Sequence, residues 1–171
     1  RIGTKADLED FYTIMKDTGA RDDFFIRPIS YFEKIYDCMG EKHARLIIAE
    51  FEGKPIAAVM PILYGNKVWY LYGGSSNEYR NLMPNYQLQF EMMKWGLENN
   101  CEVYDFRGVS GFKDENDPQY GVYRFKKGFN PEFVEFINEL YMVFDPFANS
   151  LFKLSEKAYK MLNSVRKKIS K

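Results

Sequence analysis

From Arg45 to Tyr72 the chain abandons helical spacing for three β-type runs in quick succession, and that stretch limits the folds open to it. Arg45 to Phe51 is the first run, Glu52-Gly53-Lys54 a turn, Pro55 to Tyr64 the second, Gly65-Asn66 another turn, and Val68 to Tyr72 the third. Runs joined by connections this short, each containing Gly, pair as an antiparallel meander. Gly73-Gly74-Ser75-Ser76 reads as its end. A long helix follows from about Pro84 to Glu98, then a short strand, Cys101 to Phe106. A strand directly after a helix closes a β-α-β crossover, so it is expected to lie parallel to an earlier strand.

The flanks are helical. Leu8, Phe11, Tyr12 and Met15 recur at helical spacing up to Gly19, and a second helix is expected to open at Ser30 with Glu33 as its capping box and to close at Gly40. The long helix carries two apolar stripes, Tyr86, Phe90, Met93 and Leu97 on one side and Leu88, Met92 and Trp95 on the other, so it should pack on two sides. Gly108 to Pro118 is loop, Phe133 to Phe144 a last extended run, and Phe147 to Val165 the apolar face of a C-terminal amphipathic helix spanning 147–169. The sum is one α/β domain over 1–171, a mixed, mainly antiparallel sheet flanked by helices.

Composition removes several mechanisms. Twenty-four basic side chains balance 24 acidic ones, so the chain does not coat nucleic acid by bulk charge, and a charged partner must meet a local patch. No apolar run approaches the ~18 residues of a membrane-spanning helix, and no secretory signal follows Arg1. The absence of an initial Met reads as a piece of something longer. Cys38 and Cys101 form no C-x-x-C pair, and reduced, mostly buried thiols are expected. The single histidine, His43, reads as a surface residue in a polar turn, which leaves a hydrolytic triad without support. Neither a metal nor a cofactor is called for.

Three pieces carry a more specific signal. Tyr104-Asp105-Phe106-Arg107-Gly108-Val109-Ser110-Gly111 comes first, Gly121-Val122-Tyr123-Arg124-Phe125-Lys126-Lys127-Gly128-Phe129 second, and Glu132-Phe133-Val134-Glu135 third. In this order and at these separations, together with Trp69-Tyr70-Leu71-Tyr72-Gly73 and a long helix bearing Gln89, Glu91 and Trp95, they resemble the second domain of the Fem-type peptidoglycan aminoacyltransferases. The resemblance covers nearly the whole chain. It implies a GNAT-like (acyl-CoA N-acyltransferase) fold, an aminoacyl-tRNA donor, a muropeptide acceptor that is nucleotide-linked or lipid-linked, and a companion N-terminal GNAT-like domain. It also implies a cytoplasmic setting. The long charged coiled-coil arm that some members insert is missing here.

The implied reaction is aminolysis of an ester, which needs two anionic substrates held, a tetrahedral oxyanion stabilised and a proton removed from the attacking amine. By resemblance the Phe125-Lys126 pair lies at the acceptor end of the tRNA. Lys126 is the catalytic candidate, an ammonium facing an oxyanion or a phosphate, with Arg124 and Lys127 crowding the same segment and Phe125 offering a flat surface to a terminal base or ribose. The alternative is a solvated basic face with Phe125 in the core. Asp105 and Arg107 alternate with aromatics, so they form either a cleft feature or an internal ion pair; Asp105 as a general base is not required. Tyr72 ends its strand where the sheet splays in this fold and lines an acyl channel, unless it is plain core. Arg80 stands ahead of the long helix, where an anion meets a helix N-terminus, or pairs with Glu78. The basic C-terminal helix, with Lys153, Lys157, Lys160, Arg166, Lys167, Lys168 and Lys171, faces tRNA, the anionic inner face of a membrane, or only water.

Two rival readings come from other classes. An acetyl-CoA-dependent N-acetyltransferase opens its long helix with a glycine-containing loop that wraps the pyrophosphate, whereas here Asn77 to Pro84 holds bulky side chains and no glycine. A lone GNAT-like domain can also serve as a partner-binding module, with Phe90 and Trp95 on an exposed helix side.

Overall fold

The computed structural model describes residues 1–109, 114–117, 119–137 and 140–169, the side chains of 160 and 163–169 excepted. They form two compact units, Arg1–Asn130 and Pro131–Lys171. In the first, the elements run β1 (Ile2–Gly3), α1 (Leu8–Asp22), α2 (Ile29–His43), β2 (Leu46–Phe51), β3 (Lys54–Tyr64), β4 (Lys67–Ser75), α3 (Pro84–Glu98), β5 (Val103–Asp105) and α4 (Tyr120–Lys127). The five strands make one sheet in chain order, antiparallel from β1 to β4, with β5 parallel to β4. This is the expected meander and crossover; β1, only two residues long, has no sequence signal of its own.

Strand alternation sorts the core onto two faces. Leu46, Ile48, Ala58 and Met60 point to α1 and α2, where they bury Leu8, Phe11, Ile14, Met15 and Phe32. Ile47, Ala57 and Val59 point the other way, onto Leu88 and Met92 of α3, and Trp95 packs on Leu63 and Val68. Trp95 is therefore core, only 2% exposed, with the Arg45 guanidinium over its ring at 4.7 Å. Its stripe faces the sheet, while Phe90 and Leu97 of the second stripe stay outside.

One irregularity shapes everything that follows. Met60 pairs with Tyr72 and Ile62 with Trp69, so Tyr70 and Leu71 together oppose Pro61. Pro61 turns its backbone to the other side, where its carbonyl oxygen accepts from the Arg45 N–H at 3.4 Å, so the bulge lies on β4 and the missing N–H faces β2. The extra residue flips the faces. Tyr70 packs with the α3 cluster and Tyr72, two positions on, with the α1–α2 cluster, an arrangement that an unbroken strand forbids.

Several expectations are corrected here. The two glycines do not end β4, which continues to Ser75 because its glycines allow close approach. A Cβ on Gly74 would collide with Thr18 of α1, and one on Gly73 would sit 2.7 Å from the Tyr70 ring. Helix α2 starts after Pro28 without the Ser30–Glu33 capping box and passes Gly40, which kinks it at φ 65°, so His43 ends a helix, with Nδ1 3.0 Å from the Leu63 carbonyl oxygen. Cys38 is exposed and Cys101 half-buried, both free thiols. Residues 120–127, between the expected loop and the run from Phe133, form the short helix α4.

In the second unit, α5 (Pro146–Ile169) is the expected C-terminal helix, but the described residues of 133–144 form no strand. Alternating apolar residues propose a strand; only a hydrogen-bonded neighbour makes one. Phe136, Ile137, Leu140 and Phe144 are all more than 80% exposed, and Leu151, Phe152 and Leu154 of α5 are exposed as well. No described helix is long and apolar enough to cross a membrane.

Candidate functional site

The pairing of β4 with β5 is brief. Lys67, Val68 and Trp69 match Val103, Tyr104 and Asp105, after which β5 stops while β4 bulges and runs on. The strands thus part at the bulge, and a cleft of about 380 Å³ opens there. Its lining includes Tyr70, Leu71, Tyr72 and Gly73 of β4, Phe106 and Arg107 beyond β5, and Lys126 of α4. Met15, Phe32 and the loop residues Phe24 to Arg27 supply the rest. Among the described residues the lining holds three cations and no carboxylate, with six aromatic rings.

Lys126 is set in this cleft by the neighbours of its helix. Successive helical side chains point about 100° apart, so Phe125 and Lys126 face different ways. Phe125 meets Tyr86 of α3 edge-on at 4.9 Å and Phe129 at 5.6 Å, and Phe129 also contacts Tyr86 and Phe106. This aromatic cluster fastens α4 and turns Lys126 inward, where it is 8% exposed and its Nζ donates to the Gly108 carbonyl oxygen at 2.8 Å. An ammonium has three N–H donors, and among the described residues one of them is used, by Gly108. Burial lowers the lysine pKa from its ordinary 10.5; Asp105 partly offsets this and Arg107 adds to it.

The other sequence candidates divide. Tyr72 is in the cleft, its hydroxyl 2.8 Å from that of Tyr31, and burial, with Tyr31, pushes it up to about 12. Arg107 is in the cleft too, at φ 63°, a left-handed conformation held by its N–H donating to Asp105 Oδ1 at 2.7 Å. Asp105 itself does not line the cleft; its second oxygen lies 3.6 Å from Lys67 Nζ. The anticipated side-chain pairing of Asp105 with Arg107 is thus a backbone contact, because Arg107 lies past the end of the strand. Phe125 presents its ring to α3 rather than to the cleft, and Arg124 and Lys127 are exposed outside it. Arg80 lies on the exposed 3-10 turn Arg80–Leu82, also outside. Ser110 and Gly111 fall outside the described residues. Sequence reasoning missed Phe24, Phe25 and Arg27; an aromatic pair with Arg and Pro between two amphipathic helices was the signal.

The segment ahead of α3 bears on cofactor choice. Leu82, Met83 and Tyr86 donate their N–H groups to the carbonyls of Tyr79, Arg80 and Met83 at 3.0–3.1 Å. Those amides are closed into local turns, with bulky Tyr79 and Met83 in left-handed conformations, so they do not form an open cradle for a pyrophosphate.

A mixed sheet between helices, split at its fourth and fifth strands, is the architecture of the GNAT-type acyltransferases. An aminoglycoside acetyltransferase from an uncultured soil metagenomic sample shares it with a TM-score of 0.61 at 12% identity, over 85% of this chain and 95% of that one. The family is narrower. The FemAB family profile matches residues 1–55 and 50–160, and the chain belongs to the FemAB family. The crystal structure of FemX matches with a TM-score of 0.67 and 25% identity, over 74% of this chain and 48% of that chain. Lipid II:glycine glycyltransferase of Staphylococcus epidermidis is 30% identical, and that of Staphylococcus aureus 28%, each over 96% of this chain and 54% of the relative. The chain thus spans about half the length of these relatives.

Proposed function

We propose that this chain is the donor-binding half of a non-ribosomal aminoacyltransferase, which moves an amino acid from aminoacyl-tRNA to an amine on the stem peptide of a peptidoglycan precursor. The observation that carries the reading is the buried Lys126 ammonium, fixed by Gly108 in a cleft whose described lining holds no carboxylate. Attack of the amine on the ester carbonyl forms an alkoxide-like oxygen, and a preorganised cation in a partly dry site stabilises that charge without reorganising. The attacking amine passes its proton through the ribose hydroxyl next to the ester, and the other ribose oxygen leaves. The Lys126 N–H groups not bonded to Gly108 are the ones that would hold the oxyanion.

The names of the relatives favour a lipid-linked acceptor, which would have the enzyme work in the cytoplasm against the inner membrane face, with the basic side of α5 towards anionic headgroups. The exposed apolar residues of the second unit are the kind of surface that a companion GNAT-like domain would cover. Acetyl-CoA is disfavoured because the Leu82 and Met83 amides just ahead of α3 are already bonded, and the segment from Asn77 to Pro84 holds no glycine. Full-length enzyme carrying Lys126→Met tests the reading. Transfer from aminoacyl-tRNA should fall by about 100-fold or more, with circular dichroism unchanged; near-normal turnover, or micromolar acetyl-CoA binding by calorimetry, overturns it.

A further inference from the structure

Gln89, on α3, and Tyr104, on β5, form a buried polar pair that the oxyanion chemistry does not use. Gln89 is fully buried, and its Oε1 accepts from the Tyr104 hydroxyl at 2.6 Å. Burial, with Tyr70 adding to it, pushes that hydroxyl far above the usual tyrosine range, so it stays a neutral donor. As a means of holding a core together the pair is a poor choice. Gln89 Nε2 has no partner among the described residues, and a buried donor left unpaired costs at least as much as one neutral hydrogen bond returns. Its contacts lead instead towards the cleft. Tyr104 meets Phe106 edge-on at 4.9 Å, and the Phe106 ring centre lies 5.4 Å from that of Phe129, in the cluster that fastens α4. Phe106 lines the cleft, and two residues further on the Gly108 carbonyl oxygen holds the Lys126 ammonium at 2.8 Å. Every step from Gln89 to that ammonium is a direct contact or a short stretch of chain.

We infer that Gln89 is a positioning residue: through Tyr104 it fixes where the chain leaves β5, and so where Gly108 presents Lys126 to the reacting ester. The inference rests on the reading of Lys126 given above, and the test separates the two.

The test is full-length enzyme carrying Gln89→Leu and Tyr104→Phe together, which removes the bond and both polar groups at once. Its urea midpoint should equal or exceed that of wild type, since the pair then leaves no buried polar atom unmatched. Transfer should nevertheless fall about tenfold in kcat, with KM for aminoacyl-tRNA within about twofold, the mark of a misplaced group rather than of lost binding. A second readout needs no turnover. With carbon-13 at the lysine ε positions, the Lys126 signal, assigned by its loss in Lys126→Met, should titrate closer to the ordinary 10.5 in the double variant than in wild type. Tyr104→Phe alone should move that signal in the same direction but lower the urea midpoint, because Gln89 then stays buried with neither end of its amide paired. A double variant that loses as much stability as Tyr104→Phe marks the bond as structural and overturns the inference. Wild-type kcat in the double variant, where Lys126→Met abolishes transfer, also overturns it and leaves the Lys126 reading standing. Transfer intact in both variants with the Lys126 signal moved keeps the positioning and overturns the Lys126 reading; transfer intact in both with the signal unmoved overturns both.

Discussion

Two concave surfaces of the first unit differ sharply, and the larger is the less informative. A groove of about 640 Å³ runs between β2 and α3, lined by Ile47, Ala49, Leu88 and Trp95, with Arg1, Arg45 and Lys94 balanced by Glu50, Glu91 and Glu98. Its charges largely neutralise one another, as at Arg1, which bonds Glu50 at 2.8 Å and Asp7 at 2.7 Å. The cleft at the β4–β5 split is little more than half that size, yet among the described residues that line it three are cations and none is an acid. Volume records where packing is incomplete. Uncompensated charge, kept in place by hydrogen bonds and aromatic faces, records where a partner of opposite sign is expected.

The contrast is open to direct attack. Lys126→Met and Lys94→Met remove one cation from each concavity, and full-length enzyme assayed for transfer should lose about 100-fold or more in the first case and stay within about twofold in the second, the usual scale of a surface change. Equal losses would erase the distinction. The packing of β4 on α1, next to the cleft, is tested by Gly74→Ala, whose added Cβ strikes Thr18, and Thr18 bonds both the N–H and the carbonyl oxygen of Ser75. Urea denaturation should show a loss of about 1–3 kcal/mol, a cost that the open groove has no equivalent for.

A third measurement follows the charge itself. Because the folded pKa of Lys126 is lowered, the unfolded chain binds more protons between that value and the ordinary 10.5, so wild-type stability rises with pH across the window. The penalty for burying the cation is fully present below the folded pKa. Lys126→Met does not carry that penalty, so wild type should gain on the variant as pH climbs toward 10.5 in parallel chemical denaturations; a constant difference would mean an ordinary solvated lysine. The smallest effect belongs to Asp105→Asn, which loses the 3.6 Å pairing with Lys67 but keeps an acceptor for the Arg107 N–H. Less than about 1 kcal/mol of stability should be lost, as for most surface ion pairs.

How much of this was legible follows from which interactions are local. The bounds of α3, the meander turns and the parallel placement of β5 depend on spacing within a few residues, and all are readable. The face that Trp95 takes is not, since two apolar stripes on one helix look alike until the sheet chooses between them. The run 133–144 has the alternation of a strand but lacks a neighbour among the described residues. The cleft is the least local of all, because Arg27, Tyr72, Arg107 and Lys126 come from four separate segments. Lys126 was reachable through its motif; Arg27 was reachable only as an oddity of composition. Even Phe125, adjacent to Lys126, goes elsewhere, because one residue along a helix is a change of direction.

The bulge in β4 has a consequence for how the opening persists. Between matched pairs β4 carries two residues, Tyr70 and Leu71, where β3 carries Pro61 alone, and the pairing with β5 stops at Trp69, next to that surplus. The seam between β4 and β5 is therefore written into a count of residues, and no rearrangement of side chains can zip it shut.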